Sequence, residues 1–267
     1  MKIPFYKYQG AGNDFVMVDN RKKKWLNRED QAIIEHLCHR RFGIGADGLI
    51  LLQEHPEHGL EMIYFNADGK EGSLCGNGGR CFVAFAHHLG LIEDTCLFLA
   101  ADGPHEATIN KTGNWVELKM LDVETVHSQS DDFTINTGSP HYVKFVPELA
   151  ALDVVGEGRA IRYSDRFAEQ GINVNFVAPA IDCLSIATYE RGVEDETLAC
   201  GTGVTAAAIA YFIQEPKKAA SFLEKGGIPI KAKGGGLKVR FEVINQQFRD
   251  IWLCGPATFV FRGEIDR

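Results

Sequence analysis

The 267-residue sequence contains no two cysteines separated by two residues, no apolar run that approaches a membrane span, and no surplus of positive charge. Each absence removes a class of function. Seven cysteines without a Cys-x-x-Cys pair do not fit a zinc knuckle, and their odd number in so large a chain argues against a disulfide framework. The opening MKIPFYKYQG has no signal-peptide core, so the expectation is a cytoplasmic protein with no membrane association. A net charge of −8 argues against a nucleic-acid groove, which needs clustered Lys and Arg. The one basic cluster, Arg21 to Trp25 (RKKKW), is short, flanked by acids, and reads as a solvated loop. The histidine pairs His36/His39, His55/His58 and His87/His88 lack matching ligands at a second location, so no metal is expected.

The remaining composition is ordinary for a globular protein, 45% hydrophobic and 24% charged, in a chain long enough for one large domain or two ordinary ones. Short apolar runs read as strands: Phe15 to Asp19, Leu49 to Leu52, Leu60 to Phe65, Leu97 to Ala100 and Trp115 to Met120. A helix is expected behind Asn27 as N-cap, with Ile33, Ile34, Leu37 and Cys38 on one face, stopping at Gly43. Two further helices are expected to begin just after Cys75 and just after Cys200, ending at Gly90 and before Pro216.

These elements repeat. YFNADGKEGSLCGNG (Tyr64 to Gly78) lies over YERGVEDETLACGTG (Tyr189 to Gly203) at an offset of 125 residues, and two earlier landmarks agree with it within a residue or two: Arg41 to Ile50 over Arg166 to Phe176, and Gly12 to Val16 over Ser139 to Val143. The order of landmarks reads as two similar α/β halves arising from duplication, joined near Leu121 to Gln129. Residues 1–121, rejoined by a C-terminal strand at 255–267, form one expected half, and residues 122–254 the other. Pseudo-twofold symmetry would make equivalent loops face each other across a cleft, where ligands commonly bind. Cys75 and Cys200 would then approach a ligand from opposite sides.

Each of these two cysteines stands before glycines where a strand gives way to a helix, a place that stabilises a thiolate or a bound carboxylate. Glycines 76, 78, 79, 201 and 203 are expected to permit unusual backbone angles and close approach of a ligand to the amides. Cys38, Cys81, Cys96, Cys183 and Cys254 sit in apolar contexts and read as inert buried thiols. Two thiols on opposite faces of a substrate suit inversion of a stereocentre. One thiolate removes a proton, the other thiol delivers one, and no cofactor is required if the site stabilises the carbanion.

At these residues the sequence resembles the diaminopimelate epimerase family. The matching segments are GAGNDFVMVD (Gly10 to Asp19), RRFGIGADG (Arg40 to Gly48), FNADGKEGSLCGNGGRC (Phe65 to Cys81), GSPHYV (Gly138 to Val143), GINVNFV (Gly171 to Val177), YERGVEDETLACGTG (Tyr189 to Gly203) and FVFRGEI near the end. The resemblance implies interconversion of LL- and meso-diaminopimelate without pyridoxal phosphate or metal, in lysine and peptidoglycan precursor synthesis. It implies an α/β fold (α+β) of two pseudo-symmetric domains, each a curled sheet or barrel around a central helix, and a homodimer. Cys75 and Cys200 correspond to the acid–base pair, and His141 and Glu190 to residues assisting it. Asn13, Asn66, Asn173 and Arg191 correspond to groups binding the distal end of the amino-acid substrate. The backbone of Gly76, Asn77, Gly201 and Thr202 corresponds to the cradle for the proximal carboxylate. Two positions depart from the family pattern: Gly48 where many members carry Gln, and Ser139 where many carry Asn. Rival readings are a proline or hydroxyproline racemase-type enzyme, and a non-catalytic amino-acid-binding or thiol redox protein.

Overall fold

A computed structural model describes residues 2–266. The chain divides into two compact units, one of residues 2–118 with 255–266 and one of residues 119–254. In the first unit, β1 (Lys2–Gly10), β2 (Asn13–Asp19), β3 (Gly48–His55), β4 (Gly59–Asn66), β5 (Thr95–Ala100), β6 (Gly103–Ile109) and β7 (Trp115–Lys119) follow in that order across the sheet. Neighbours are antiparallel except for two parallel pairs, β2 with β3 and β4 with β5. Each parallel step is bridged by a helix, α1 (Gln31–Cys38) and α2 (Gly76–His88), as a crossover connection requires.

The second unit repeats this plan. Strands β8 (Val126–Gln129), β9 (Asp132–Asn136), β10 (Pro140–Phe145), β11 (Asn173–Pro179) and β12 (Leu184–Glu190) pair in sequence order. Beyond them β12 continues to β14 (Ile228–Ala232), β15 (Gly235–Ile244) and β16 (Gln247–Pro256), while the short β13 (Asp195–Thr197) folds back on the end of β12. The parallel steps are β10 with β11, bridged by α3 (Val154–Arg162), and β12 with β14, bridged by α4 (Gly201–Gln214) and α5 (Pro216–Glu224). Helices and parallel pairs therefore occupy equivalent places in the two units. The last strand, β17 (Thr258–Asp266), returns to pair antiparallel with β1 inside the first unit.

In both units the second helix is the centre. Every residue of α2 from Gly76 to Ala86 is buried, as is almost all of α4 from Gly201 to Tyr211. A helix covered on all sides belongs in a core. The sheet of the first unit wraps α2, which touches β1, β2, β3, β4, β6 and β17; α4 likewise touches β9, β10, β11, β12, β14 and β15. The first helices pack outside on separate apolar clusters: Ile34, Leu37 and Cys38 against Val16, Val18, Leu49 and Leu51, and Val154 against Val174, Phe176 and Tyr189.

One helix is shorter than the sequence suggests. Asn27 accepts the Glu29 amide on its side chain at 2.9 Å, and its own amide donates to Asp30 at 3.0 Å. This reciprocal turn occupies residues 27–30, so α1 starts at Gln31. The helix stops at Cys38 because His39 turns extended and its Nδ1 accepts the amides of Arg41 and Phe42.

Candidate active site

The β1–β2 hairpin turns on two residues, Ala11 and Gly12, with φ of 53° and 87°. Positive φ at both central positions matches the twist of paired strands, and it delivers Asn13 to the start of β2. Asn13 Nδ2 donates to Asp47 at 2.5 Å, which turns Oδ1 to accept from the Cys75 thiol and from Asn77 Nδ2, both at 3.4 Å. Asp47 is fixed in turn by Arg40 at 2.6 Å, and Arg40 also grips Asp14 at 2.7 and 3.1 Å. The buried Lys7 ammonium lies 2.7 Å from Asp14 and donates to the Gly45 carbonyl. Burial alone would raise the Asp14 carboxyl, but the hydrogen bonds from Arg40 and Lys7 outweigh it and hold it at about 2.

Cys75 is the N-cap residue of α2, in extended conformation and with no side-chain cap bond. The first amide to return to its carbonyl is that of Gly79, at 2.7 Å. The amides of residues 76–78 therefore precede the helical ladder and carry its positive end. Arg80, wholly buried, braces this turn by donating to the Gly76 carbonyl at 3.3 Å and to Asn77 Oδ1 at 2.9 Å.

Asn66 ends β4, where Tyr64 donates its hydroxyl to Asn66 Oδ1 at 3.0 Å. A Cβ built at Gly48 would lie 2.6 Å from the Tyr64 ring and 2.5 Å from the Phe65 carbonyl, and one at Gly72 would lie 2.9 Å from the ring's other edge. The Tyr64 ring thus occupies a slot between two glycines, and fills the space that a longer side chain at 48 would need.

In the second unit, Cys200 caps α4 in the same way, extended and with no side-chain cap bond. Its sulfur lies 3.4 Å from Thr202 Oγ1, which lies 2.8 Å from His141 Nε2. His141 Nδ1 is 3.0 Å from Asn175 Nδ2. His141 is completely buried, and that burial, with a smaller effect of the Arg191 charge, pushes its pKa down to about 3, so the imidazole is neutral. Asn173, one face-repeat before Asn175 on β11, donates to Ser139 Oγ at 2.9 Å and to the Pro140 carbonyl at 3.1 Å, and accepts the Arg191 amide at 2.9 Å. Both amide hydrogens of Asn173 are thereby engaged. The Arg191 guanidinium folds back on the Gln170 carbonyl at 3.0 Å, and the half-buried Glu190 ends β12 beside it.

The first unit thus brings together Asn13, Cys75, Gly76 and Asn77, with Asn66 held by Tyr64. The second brings together His141, Cys200, Gly201 and Thr202, with Asn173 and Arg191 joined through Ser139 and the backbone. Sequence reasoning missed Asp47, Tyr64, Asn175 and Thr188, whose hydroxyl donates to Asn175 Oδ1 at 2.9 Å. A signal existed for Asn175: two asparagines alternate in the otherwise apolar strand NVNFV, on one face and both buried.

The expected unusual backbone angles are absent at the glycines of the two cysteine motifs. None of glycines 76, 78, 79, 201 and 203 has positive φ. A Cβ at Gly203 would fall 2.3 Å from Asn175 Oδ1, one at Gly79 3.0 Å from Leu118, and one at Gly78 3.2 Å from Ile50. These three glycines let a buried helix lie close against its neighbours. Of the other thiols, Cys38, Cys81 and Cys96 are pushed up to about 12 by burial, and Cys254 is buried; Cys183 differs from expectation in being half-buried. Among the described residues no group of three or more His, Cys, Asp and Glu is placed to hold a metal ion, and no helix is long and apolar enough to cross a membrane.

The sequence model of the family described as diaminopimelate epimerase matches residues 5–126 and 133–260. A diaminopimelate epimerase of Flavobacterium psychrophilum is 49% identical over 98% of this chain and 100% of its own length. One of Chlorobaculum tepidum is 43% identical over 96% of this chain and 98% of its own. Among solved structures, a PhzF-family phenazine biosynthesis protein of Bacillus anthracis superposes with a TM-score of 0.73 at 14% identity, covering both chains fully. A probable proline racemase of Agrobacterium radiobacter superposes at 0.67 with 13% identity, covering 99% of this chain and 93% of that one. These two likenesses concern the fold.

Proposed function

The chain belongs to the diaminopimelate epimerase family, and from that premise we propose how its residues divide the work of an isomerase that interconverts LL- and meso-diaminopimelate. Cys75 and Cys200 are the acid–base pair: the thiolate of one takes the α-proton, and the thiol of the other returns a proton to the opposite face. The observation that carries this assignment is the equivalence of the two sulfurs. Each belongs to the N-cap residue of the central helix of its unit, at the same place in one topology, and each is half-buried while Cys38, Cys81, Cys96 and Cys254 are buried.

The amides opening α2 and α4 are suited to the substrate's proximal carboxylate and to the charge that develops as the α-proton leaves. Asn66 and Arg191 are the distal contacts, Arg191 by swinging its guanidinium from the Gln170 carbonyl to a carboxylate it can grip with two N–H groups. Asn13 serves the Cys75 side directly, since its Oδ1 accepts the thiol hydrogen. Asn173 acts by fixing Ser139 and the Arg191 backbone. Glu190, at the same strand end, and the buried His141 assist the thiols, His141 as a neutral group.

The enzyme is taken to work in the cytoplasm as a homodimer. Support for a second copy comes from β17, where Phe259, Val260 and Phe261 stay 40%, 51% and 43% exposed on a strand paired with β1. Cys75→Ala and Cys200→Ala should each slow epimerisation by about 10²–10⁴-fold, the usual worth of a general acid or base, with L-proline inert in all forms. Retention of wild-type turnover by either variant, in a chiral assay of diaminopimelate isomers, would remove that cysteine from the pair.

A further inference from the structure

The hydrogen bonds behind Cys200 can be assigned a direction. Asn175 Nδ2 lies 3.0 Å from the Tyr142 carbonyl, which can only accept, and Asn175 Oδ1 lies 2.9 Å from the Thr188 hydroxyl. Thr188 stands directly opposite Asn175 across the β11–β12 ladder, and both are buried. The amide orientation is therefore set: oxygen toward Thr188, nitrogen toward Tyr142 and His141. His141 Nδ1 then faces a donor and must be the acceptor, so its proton sits on Nε2. That Nε2–H points at Thr202 Oγ1 at 2.8 Å, and Thr202, accepting there, has its own hydroxyl hydrogen left for the Cys200 sulfur at 3.4 Å. Thr137 fixes the same turn by donating to the Thr202 carbonyl at 2.9 Å.

We propose that Asn175 and Thr188 are positioning residues that lock His141 in its Nε2–H tautomer, so that His141 and Thr202 form a one-way donor chain ending on the sulfur of Cys200. The chain stabilises the thiolate of Cys200 without any proton leaving the imidazole, because a hydrogen bond donated to the charged form favours that form. Gly203 belongs to the same device: only a residue without a Cβ leaves room for the Asn175 amide against the helix. The inference rests on the assignment of Cys200 to the acid–base pair, yet it makes claims about the resting protein that involve no turnover.

Two measurements on the full-length protein decide it. Nitrogen-15 NMR of the labelled histidines at neutral pH should show His141 as the neutral Nε2–H tautomer; the Nδ1–H tautomer or an imidazolium would overturn the lock. The rate of Cys200 alkylation by iodoacetamide, followed against pH by peptide mass spectrometry, should shift its midpoint upward by about one pH unit in Thr202→Val. Thr202→Ser, which keeps the hydroxyl, should restore the wild-type midpoint, an outcome that a purely structural role would not produce. Asn175→Ala should shift the midpoint in the same direction as Thr202→Val. If the alanine protein does not fold, the wild-type spectrum and the Thr202 pair still decide. An unchanged midpoint in Thr202→Val would overturn the donor chain while leaving the epimerase reading intact, and failure to epimerise diaminopimelate would leave these thiol measurements unaffected.

Discussion

Single side chains carry the electrostatics of this protein. His141 stays neutral in the folded state down to about 3, because burial opposes its charge, whereas its ordinary value is 6.5. As pH falls below about 6.5, the unfolded chain binds a proton that the folded chain refuses, so stability drops between about pH 6.5 and 3, by up to about 1.4 kcal/mol per pH unit. Urea denaturation at several pH values should show this slope, and His141→Gln should lose it. Asp14 works lower on the scale: held at about 2 against an ordinary 3.8, it contributes stability that disappears as pH falls from about 4 through 2. Tyr64 tests the distal end. Tyr64→Phe keeps the ring in its slot and frees Asn66 Oδ1, so KM for diaminopimelate should rise several-fold with kcat nearly unchanged, at a stability cost of about 1 kcal/mol. A KM equal to the wild type would separate Asn66 from substrate binding. The resemblance points to His141 and Asn66, but the burial of one and the Tyr64 slot behind the other are not legible in the sequence, where Gly48 reads as a lost side chain. Its space belongs to Tyr64, a neighbour on the adjacent strand that only the β3–β4 register brings there.

At the scale of elements, the places where strand gives way to helix were the most readable feature. Cys75 and Cys200 each precede a glycine and a run of small or apolar residues, and each proves to be an N-cap. The paired strands were readable for the same reason, since a half-buried or fully buried strand leaves a short apolar run. The first helix reads longer in the sequence than it is because Asn27, Asp30 and His39 all have side chains that satisfy nearby amides in turns, and composition alone does not say which turn wins. At Gly78, Gly79 and Gly203 the sequence suggests unusual backbone angles where the structure has close packing instead, because packing against a residue distant in sequence leaves no local trace. Gly203→Ala should therefore destabilise the protein by about 1–3 kcal/mol through overpacking against Asn175. Thermal unfolding monitored by circular dichroism checks this, and a neutral substitution would contradict the close approach of α4 to β11.

At the scale of the whole molecule, the duplicated plan is the central fact: two units with one topology, each presenting a cysteine at the head of its buried helix. The repeat makes this visible in the sequence, since Tyr64 and Tyr189, and Cys75 and Cys200, stand 125 apart; in the structure the starts of β4 and β12 stand 125 apart as well. The side-chain chemistry behind the two cysteines is not duplicated. Asn13 and Asp47 stand behind one, and a neutral histidine relayed through a threonine stands behind the other. The two-base claim is tested most directly by incubating the reduced enzyme with LL-diaminopimelate in D₂O and following the α-hydrogens by mass spectrometry and NMR. The meso product should appear carrying one solvent deuterium at the inverted carbon, while the LL pool initially keeps its hydrogen, because removal and delivery use different sulfurs. Formation of meso product that retains the original α-hydrogen, or no meso product at all, would contradict the account.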